Sequence, residues 1–309
     1  MTLSHLHLVL NHIPVIGSVV AFGLMLLALL RRSADLRRAA LEVIVLVGLI
    51  SLPAYLSGAG AQLDVSKSAG VAVTMVRAHH DAALLGSGFM LLTVMVAWVG
   101  LWQTRRRARP ARGVLGTVLL LTIITLALMG RAANLGGQIR HPEVTPMEAA
   151  QLAESAGWMT TWIANVGTLG TWAWPAAEAL HFIGMGLLFG ILMAVNLRLL
   201  GMMKPVPFSV LHRLLPWAML GLTVNVVTGM VFVIGVPGQY TGWVFYWKIG
   251  LLMLGGANLL YLTIADAPWS VGAGHHAPLL ARTMASAGIA SWLAVMYFGR
   301  MLPFLGKSF

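Results

Sequence analysis

Ten histidines stand against nine acidic residues in a chain of 309. Histidine titrates near neutrality and is the commonest metal ligand, so the position of each imidazole matters. His5, His7 and His12 open the chain, His79 and His80 are adjacent, and His181 interrupts a long apolar run. Lys248, Arg77, Arg131, Arg140 and Arg300 also lie in or beside apolar stretches. A neutral imidazole inside a helix bundle is a strong ligand for haem iron, copper or zinc. Two histidines on facing helices can hold iron from opposite sides of a flat, apolar macrocycle, and arginines at its rim match the propionates bidentately. The chain has no cysteine, which excludes disulfides, iron–sulfur clusters, thiolate zinc sites and covalent c-type haem. The cofactor these residues point to is one or two non-covalent haem b groups, with copper as the alternative.

The elements that must position these groups follow from composition. Hydrophobic residues make up 59% of the chain and charged residues 9%, with a mean hydropathy of +0.84. A soluble domain carries about 25% charged residues, so a soluble globular enzyme is excluded, and disorder is excluded with it. Crossing a hydrocarbon core takes about 20 apolar residues. Eight stretches meet this, at roughly 8–30, 39–61, 79–102, 113–135, 174–199, 210–235, 243–265 and 282–304. The first lacks the basic n-region and small-residue cleavage site of a signal peptide and is long enough to span. The expected fold is an all-α membrane protein with eight transmembrane helices arranged as two four-helix bundles.

Basic residues set the orientation. Arg31, Arg32, Arg37, Arg38, Arg105, Arg106, Arg107, Arg109, Arg112, Arg198, Lys204 and Arg213 fall in one set of linkers; Asp64, Glu143, Glu148 and Glu154 fall in the other. Both termini are therefore expected outside, in the periplasm of a bacterial inner membrane. The net charge of +11 is read as topology-setting arginine that also attracts anionic lipid, and no nucleic-acid partner is expected.

Counting residues upward from the cytoplasmic ends places the intramembrane ionisable groups at one depth. His12, His181, Lys248, Arg131 and Arg300 all come out ~26–29 Å above a basic or acidic marker at the inner end of their spans, at about 1.5 Å per residue. His79 and His80 come out somewhat higher, at the start of the third span. Ionisable groups inside a membrane are costly and are functional candidates by default. The bland alternatives are an interfacial role for His5 and His7, capping of a Pro14 kink by His12, and snorkelling by Lys248. Adjacent residues on a helix point about 100° apart, so one of His79 and His80 suffices as a ligand. His80 is preferred, because Asp81 after it reads as a helix-start partner. Gly86 and Gly88 follow the first pair, and Gly184, Gly186 and Gly190 follow His181; they either admit a ring or serve ordinary small-residue helix packing.

The longest connection, residues 136–173, is expected on the external face. Thr145 reads as an N-cap with Pro146 at the first helical position and Glu148 in the first turn, which predicts a short interfacial helix from Met147 to Val166. It carries or adjoins Trp158, Trp162, Trp172 and Trp174, either an aromatic belt or a docking surface. The connection divides the chain into a first bundle (1–140), the external loop (141–173) and a second bundle (174–309).

Two resemblances each cover about half the chain. His7-Leu8-Val9-Leu10-Asn11-His12-Ile13-Pro14 resembles the H-P-x-x-V-H-F-P opening of an uncharacterised family of bacterial membrane proteins, and His80-Asp81 resembles a later His-acid pair of that family. The resemblance implies His12 and His80 as haem ligands. In the second half, Glu178-Ala179-Leu180-His181-Phe182-Ile183-Gly184 and the run Asn196-Leu197-Arg198-Leu199-Leu200-Gly201 resemble a second uncharacterised bacterial family. More distantly they resemble the copper-resistance D family and the J-type protoporphyrinogen oxidases. Those carry an early-helix histidine and a later aromatic–x–x–Lys–x–x–Leu helix, which here is matched by Tyr246-Trp247-Lys248-Ile249-Gly250-Leu251. The resemblance implies a functional pair of His181 and Lys248.

Together these features lead to the expectation of a membrane-embedded b-type cytochrome. Its cofactor residues would be His7, His12, His79, His80, His181, Lys248, Arg77, Arg131 and Arg300, with His12, His80 and His181 on the metal. It would pass electrons between quinol and an external redox protein such as a cytochrome c, as a subunit of a larger oxidoreductase complex. A copper-handling protein, a porphyrinogen oxidase and a non-catalytic anchor subunit are the alternatives.

Overall fold

The computed structural model of the protein describes residues 3–65, 73–107, 110–140, 157–168, 172–236, 240 and 242–305. Its elements are helical, with no strand among the described residues. Eight segments are long and apolar enough to cross a membrane: Leu3–Leu30, Ala34–Gln62, Val73–Arg107, Arg112–Ile139, Ala173–Leu199, Phe208–Gly235, Trp243–Ile264 and Leu279–Leu302. They fall on the eight expected stretches. Several start earlier than expected, because polar residues such as His79 look like a span's end in sequence yet continue the helix.

The first span is two helices, α1 (Leu3–Leu10) and α2 (His12–Leu30), meeting at Asn11. Proline has no N–H, and its ring clashes with the carbonyl four residues before it. For Pro14 that residue is Leu10, where α1 ends. The other long helices are α3 (Ala34–Val65), α4 (Val73–Arg107) and α5 (Arg112–Arg140). A shorter α6 (Trp158–Thr168) precedes α7 (Ala173–Leu199). The sixth span joins α8 (Phe208–Leu211) through one 3-10 turn to α9 (Leu215–Gly235). Then follow α10 (Trp243–Ile264), a single turn α11 (Asp266–Trp269) and α12 (Leu279–Leu305).

The chain divides into two compact units. One comprises Met1–Ala97, Ala111–Pro175 and Met230–Pro237. In it α3 packs against α1 and α2, and α2 against α5. Gly17 lies against Val47, where an added Cβ would stand 2.5 Å from a methyl. Close contact of this kind drives helix association where lipid removes the hydrophobic incentive. Mid-span hydroxyls bond within the bundle: Ser18 donates to the Pro14 carbonyl at 2.5 Å, and Thr93 and Thr125 pair at 3.0 Å.

The second unit comprises Trp98–Pro110, Ala176–Gly229 and Gly238–Phe309. Here α10 packs along α12, and Trp292 fills the space a Cβ on Gly255 would need. Arg198, fully buried, donates to the carbonyls of Val206, Gly272 and His275 and ties together the segments that follow α7 and α11. Arg105 bonds Asp266 and the Ile264 carbonyl, and Arg106 bonds the Ser209 carbonyl. These basic residues, which mark an inner end in sequence, also supply donors to backbone oxygens left open where helices stop.

Candidate functional site

In the first unit two imidazoles, those of His7 and His79, meet. His7 on α1 places Nδ1 2.8 Å from the Ala54 carbonyl of α3. The same carbonyl also accepts from the Ser57 hydroxyl at 3.0 Å. His79 on α4 places Nδ1 2.9 Å from the Ala132 carbonyl of α5. A carbonyl only accepts, so each Nδ1 carries the hydrogen. In the neutral ring Nε2 then holds the lone pair. A donated second nitrogen is how ligating histidines are oriented and made more basic. The two ring centroids are 6.2 Å apart, with planes inclined by 70°.

Both rings rest against glycine. A Cβ on Gly58 would stand 2.7 Å from the His7 Cε1, and one on Gly136 3.1 Å from the His79 Cε1. Any other residue at Gly58 would push the His7 ring out of place.

His80 points about 100° further round α4. Its Nε2 is 3.3 Å from the buried Tyr55 hydroxyl, and the two rings lie 5.9 Å apart. The next residue, Asp81, is buried and accepts from the N–H groups of Gly157, at 2.8 Å, and Thr160, at 3.2 Å. Asp81 does serve a helix start, but that of α6. The expected role at the start of its own span does not hold, since α4 begins at Val73, more than two turns earlier. Gly157 has φ +91°, the left-handed region that glycine enters without strain, and the Arg77 stem packs where its side chain would be.

The second unit holds His181 and Lys248. His181 Nδ1 lies 2.8 Å from the Thr228 hydroxyl, which spends its own hydrogen on the Val224 carbonyl at 2.7 Å. Thr228 therefore accepts from Nδ1–H, and Nε2 again carries the lone pair. Lys248, half-buried, extends along α12: a Cβ on Gly299 would stand 3.4 Å from its Nζ. Among the described residues no carboxylate pairs with it. Tyr240, outside the spans, is pushed up to about 12 by burial and by the nearby Glu178 carboxylate.

The remaining sequence-derived residues lie elsewhere. His12 is exposed. Arg77, Arg131 and Arg300 are exposed. His5 is exposed, as are His275 and His276 in their loop, whereas His212 is buried among Trp102, Phe208 and Trp269. Gly184 does not border a ring: it meets the backbone of Gly221, so it serves the crossing of α7 and α9. The expected helix from Met147 to Val166 lies partly outside the described residues, which hold α6 at Trp158–Thr168. Thr145, Pro146, Met147, Glu148, Glu143, Glu154 and His141 are outside them too, as are the side chains of Asp64 and Arg140.

Sequence reasoning missed Tyr55, Thr228, Gly58 and Gly136. The run Ser57-Gly58-Ala59-Gly60-Ala61 is a visible small-residue signal, but nothing in it names His7 as the neighbour.

No family model, no curated protein and no solved structure matches the chain.

Proposed function

We propose that the protein is a membrane-embedded b-type cytochrome that exchanges electrons between quinol and an external redox protein. The observation that carries this is the His7–His79 pair. Each ring is fixed by a carbonyl at Nδ1, and the centroids are 6.2 Å apart. A haem bound here would take its protein nitrogens from His7 and His79, whose Nε2 atoms carry the lone pairs. Two imidazoles suit a macrocycle that brings four nitrogens of its own. A bare structural ion asks for about four protein ligands, and among the described residues no three His or acidic side chains are grouped for one.

Haem, when bound, supplies one-electron transfer. The chain's part is to hold the two rings, to keep them neutral and to exclude water by burial. In this proposal His7 and His79 take the ligand roles that the family resemblance gave to His12 and His80. Arg77 and Arg131, which belong to the same unit as the pair, serve the propionates or the surrounding headgroups, and Arg300, in the second unit, serves headgroups there. The spans are grouped as two bundles, 1–140 and 174–309, joined by 141–173. Both termini are periplasmic in a bacterial inner membrane, and the chain works within a larger oxidoreductase complex.

The test is a pyridine haemochrome assay with metal analysis on the purified protein. Haem b with a reduced-minus-oxidised α band is expected, lost in His7→Ala and His79→Ala and kept in His12→Ala. Copper without porphyrin, or a colourless protein, would overturn the proposal. Copper would favour the copper-handling alternative.

A further inference from the structure

We propose that Arg106 and Arg213 hold the phosphodiester headgroup of an anionic phospholipid, where the arginine-rich end of α4 meets the start of the sixth span. This site is independent of the haem proposed above, and all of its residues belong to the second unit.

Two hydrogen bonds staple these ends together. Trp102 Nε1 donates to the His212 carbonyl at 2.7 Å, and Arg106, one turn further along α4, donates to the Ser209 carbonyl at 3.0 Å. The His212 carbonyl belongs to the peptide group that leads into Arg213, and Ser209 stands four residues before Arg213. Residues four apart on a helix are neighbours on one face, so the Arg106 guanidinium is brought to the face from which Arg213 projects. The Arg106 guanidinium carbon also lies 5.8 Å from the Trp102 ring centroid, a cation–π contact that helps to fix it.

The pair is open to an anion. A guanidinium has five N–H donors, and the Ser209 bond uses one of those on Arg106. Arg213 is exposed. Among the described residues neither arginine has a carboxylate partner, whereas the neighbouring Arg105 is taken up by Asp266. Two uncompensated cations on one face repel, and an anion between them removes the repulsion. The planar forks match the two free oxygens of a phosphodiester. A zwitterionic headgroup brings its own ammonium, so the pair favours a headgroup with net negative charge.

The face beside the arginines fits acyl chains. Val210, Leu214, Trp217 and Leu220 are exposed and recur every three or four residues along the span. The stripe adjoins Arg213 and by Leu220 has run about 10 Å along the helix into the hydrocarbon. Trp217 lies one turn in from Arg213, and indole is favoured at that depth.

The test titrates full-length protein in detergent with dioleoyl phosphatidylglycerol, dioleoyl phosphatidylcholine and glycerol phosphate, and counts bound lipid by native mass spectrometry. One saturable phosphatidylglycerol is expected, bound more tightly than phosphatidylcholine and not displaced by glycerol phosphate. Arg213→Gln should weaken it about tenfold, the loss of a hydrogen bond between charged groups, and Arg106→Gln at least as much. Arg106→Lys keeps the charge without the fork and should recover only part of the affinity. Arg107→Gln, which changes the exposed neighbour pointing about 100° away, should bind as the wild type does. Arg213 is exposed, so its variant still reports on the site if Arg106→Gln fails to fold. Equal binding of the two lipids overturns the site, and so does a preference that survives in Arg213→Gln. An equal loss in Arg107→Gln would assign the preference to diffuse charge, and displacement by glycerol phosphate at the same affinity would assign the pair to a soluble phosphate; either result overturns the lipid site.

Discussion

An imidazole is a directed ligand only when its second nitrogen is held. His7, His79 and His181 meet this condition, through the Ala54 carbonyl, the Ala132 carbonyl and the Thr228 hydroxyl. His12, exposed at the start of α2, has no such partner among the described residues. The glycines beneath the first two rings give a graded test. A methyl on Gly58 would come within 2.7 Å of His7, and one on Gly136 within 3.1 Å of His79. Gly58→Ala should therefore lower the Soret absorbance per protein more than Gly136→Ala, with both variants retaining helix content by circular dichroism. If the two variants bind haem as the wild type does, the ring placement is not what fixes the cofactor.

At the scale of elements, breaks in helices matter as much as their interiors. Pro14 ends α1 at Leu10 and frees α1 to turn His7 toward α3. Asp81 reaches from α4 to the start of α6, where it takes two N–H groups that have no intrahelical partner. A capping carboxylate is worth about 1 kcal/mol, and it is favoured by the positive end of the helix dipole. Asp81→Ala is expected to cost about that much in stability and to raise amide hydrogen exchange across Trp158–Thr168, with Asp81→Asn between the two. Unchanged exchange in α6 would show that the cap is not what holds it. Because Asp81 follows His80 directly, the same contact fixes the rotation of α4, and with it which of His79 and His80 faces α1.

At the scale of the whole molecule, the absence of cysteine makes the orientation directly measurable. Single substitutions can be labelled in intact cells with a membrane-impermeant maleimide, without first removing native thiols. Ser4→Cys and His276→Cys should fall on opposite faces, with Ser4→Cys labelled from outside and His276→Cys only after lysis. The arginine-rich first, third and fifth connections lead to this expectation. Labelling of His276→Cys in intact cells would invert the topology and put Arg198 and its carbonyl partners on the external side.

Composition and spacing alone determined the solvent of this protein. With 59% hydrophobic and 9% charged residues, the chain can only satisfy its backbone in lipid as helices, and the eight spans follow from the length of each apolar run. Sequence also drew attention to His7, His79, His80, His181 and Lys248, because ionisable groups inside such runs are few. It could not choose among them. The choice depends on which carbonyl or hydroxyl stands opposite each ring. Ala54 lies 47 residues from His7, Ala132 lies 53 from His79, and Thr228 lies 47 from His181. Side-chain direction advances by about 100° per residue, so a small uncertainty in where a helix begins or breaks redirects every imidazole on it. Only the packed helices decided that His7 and His79 face one another while His12 turns away.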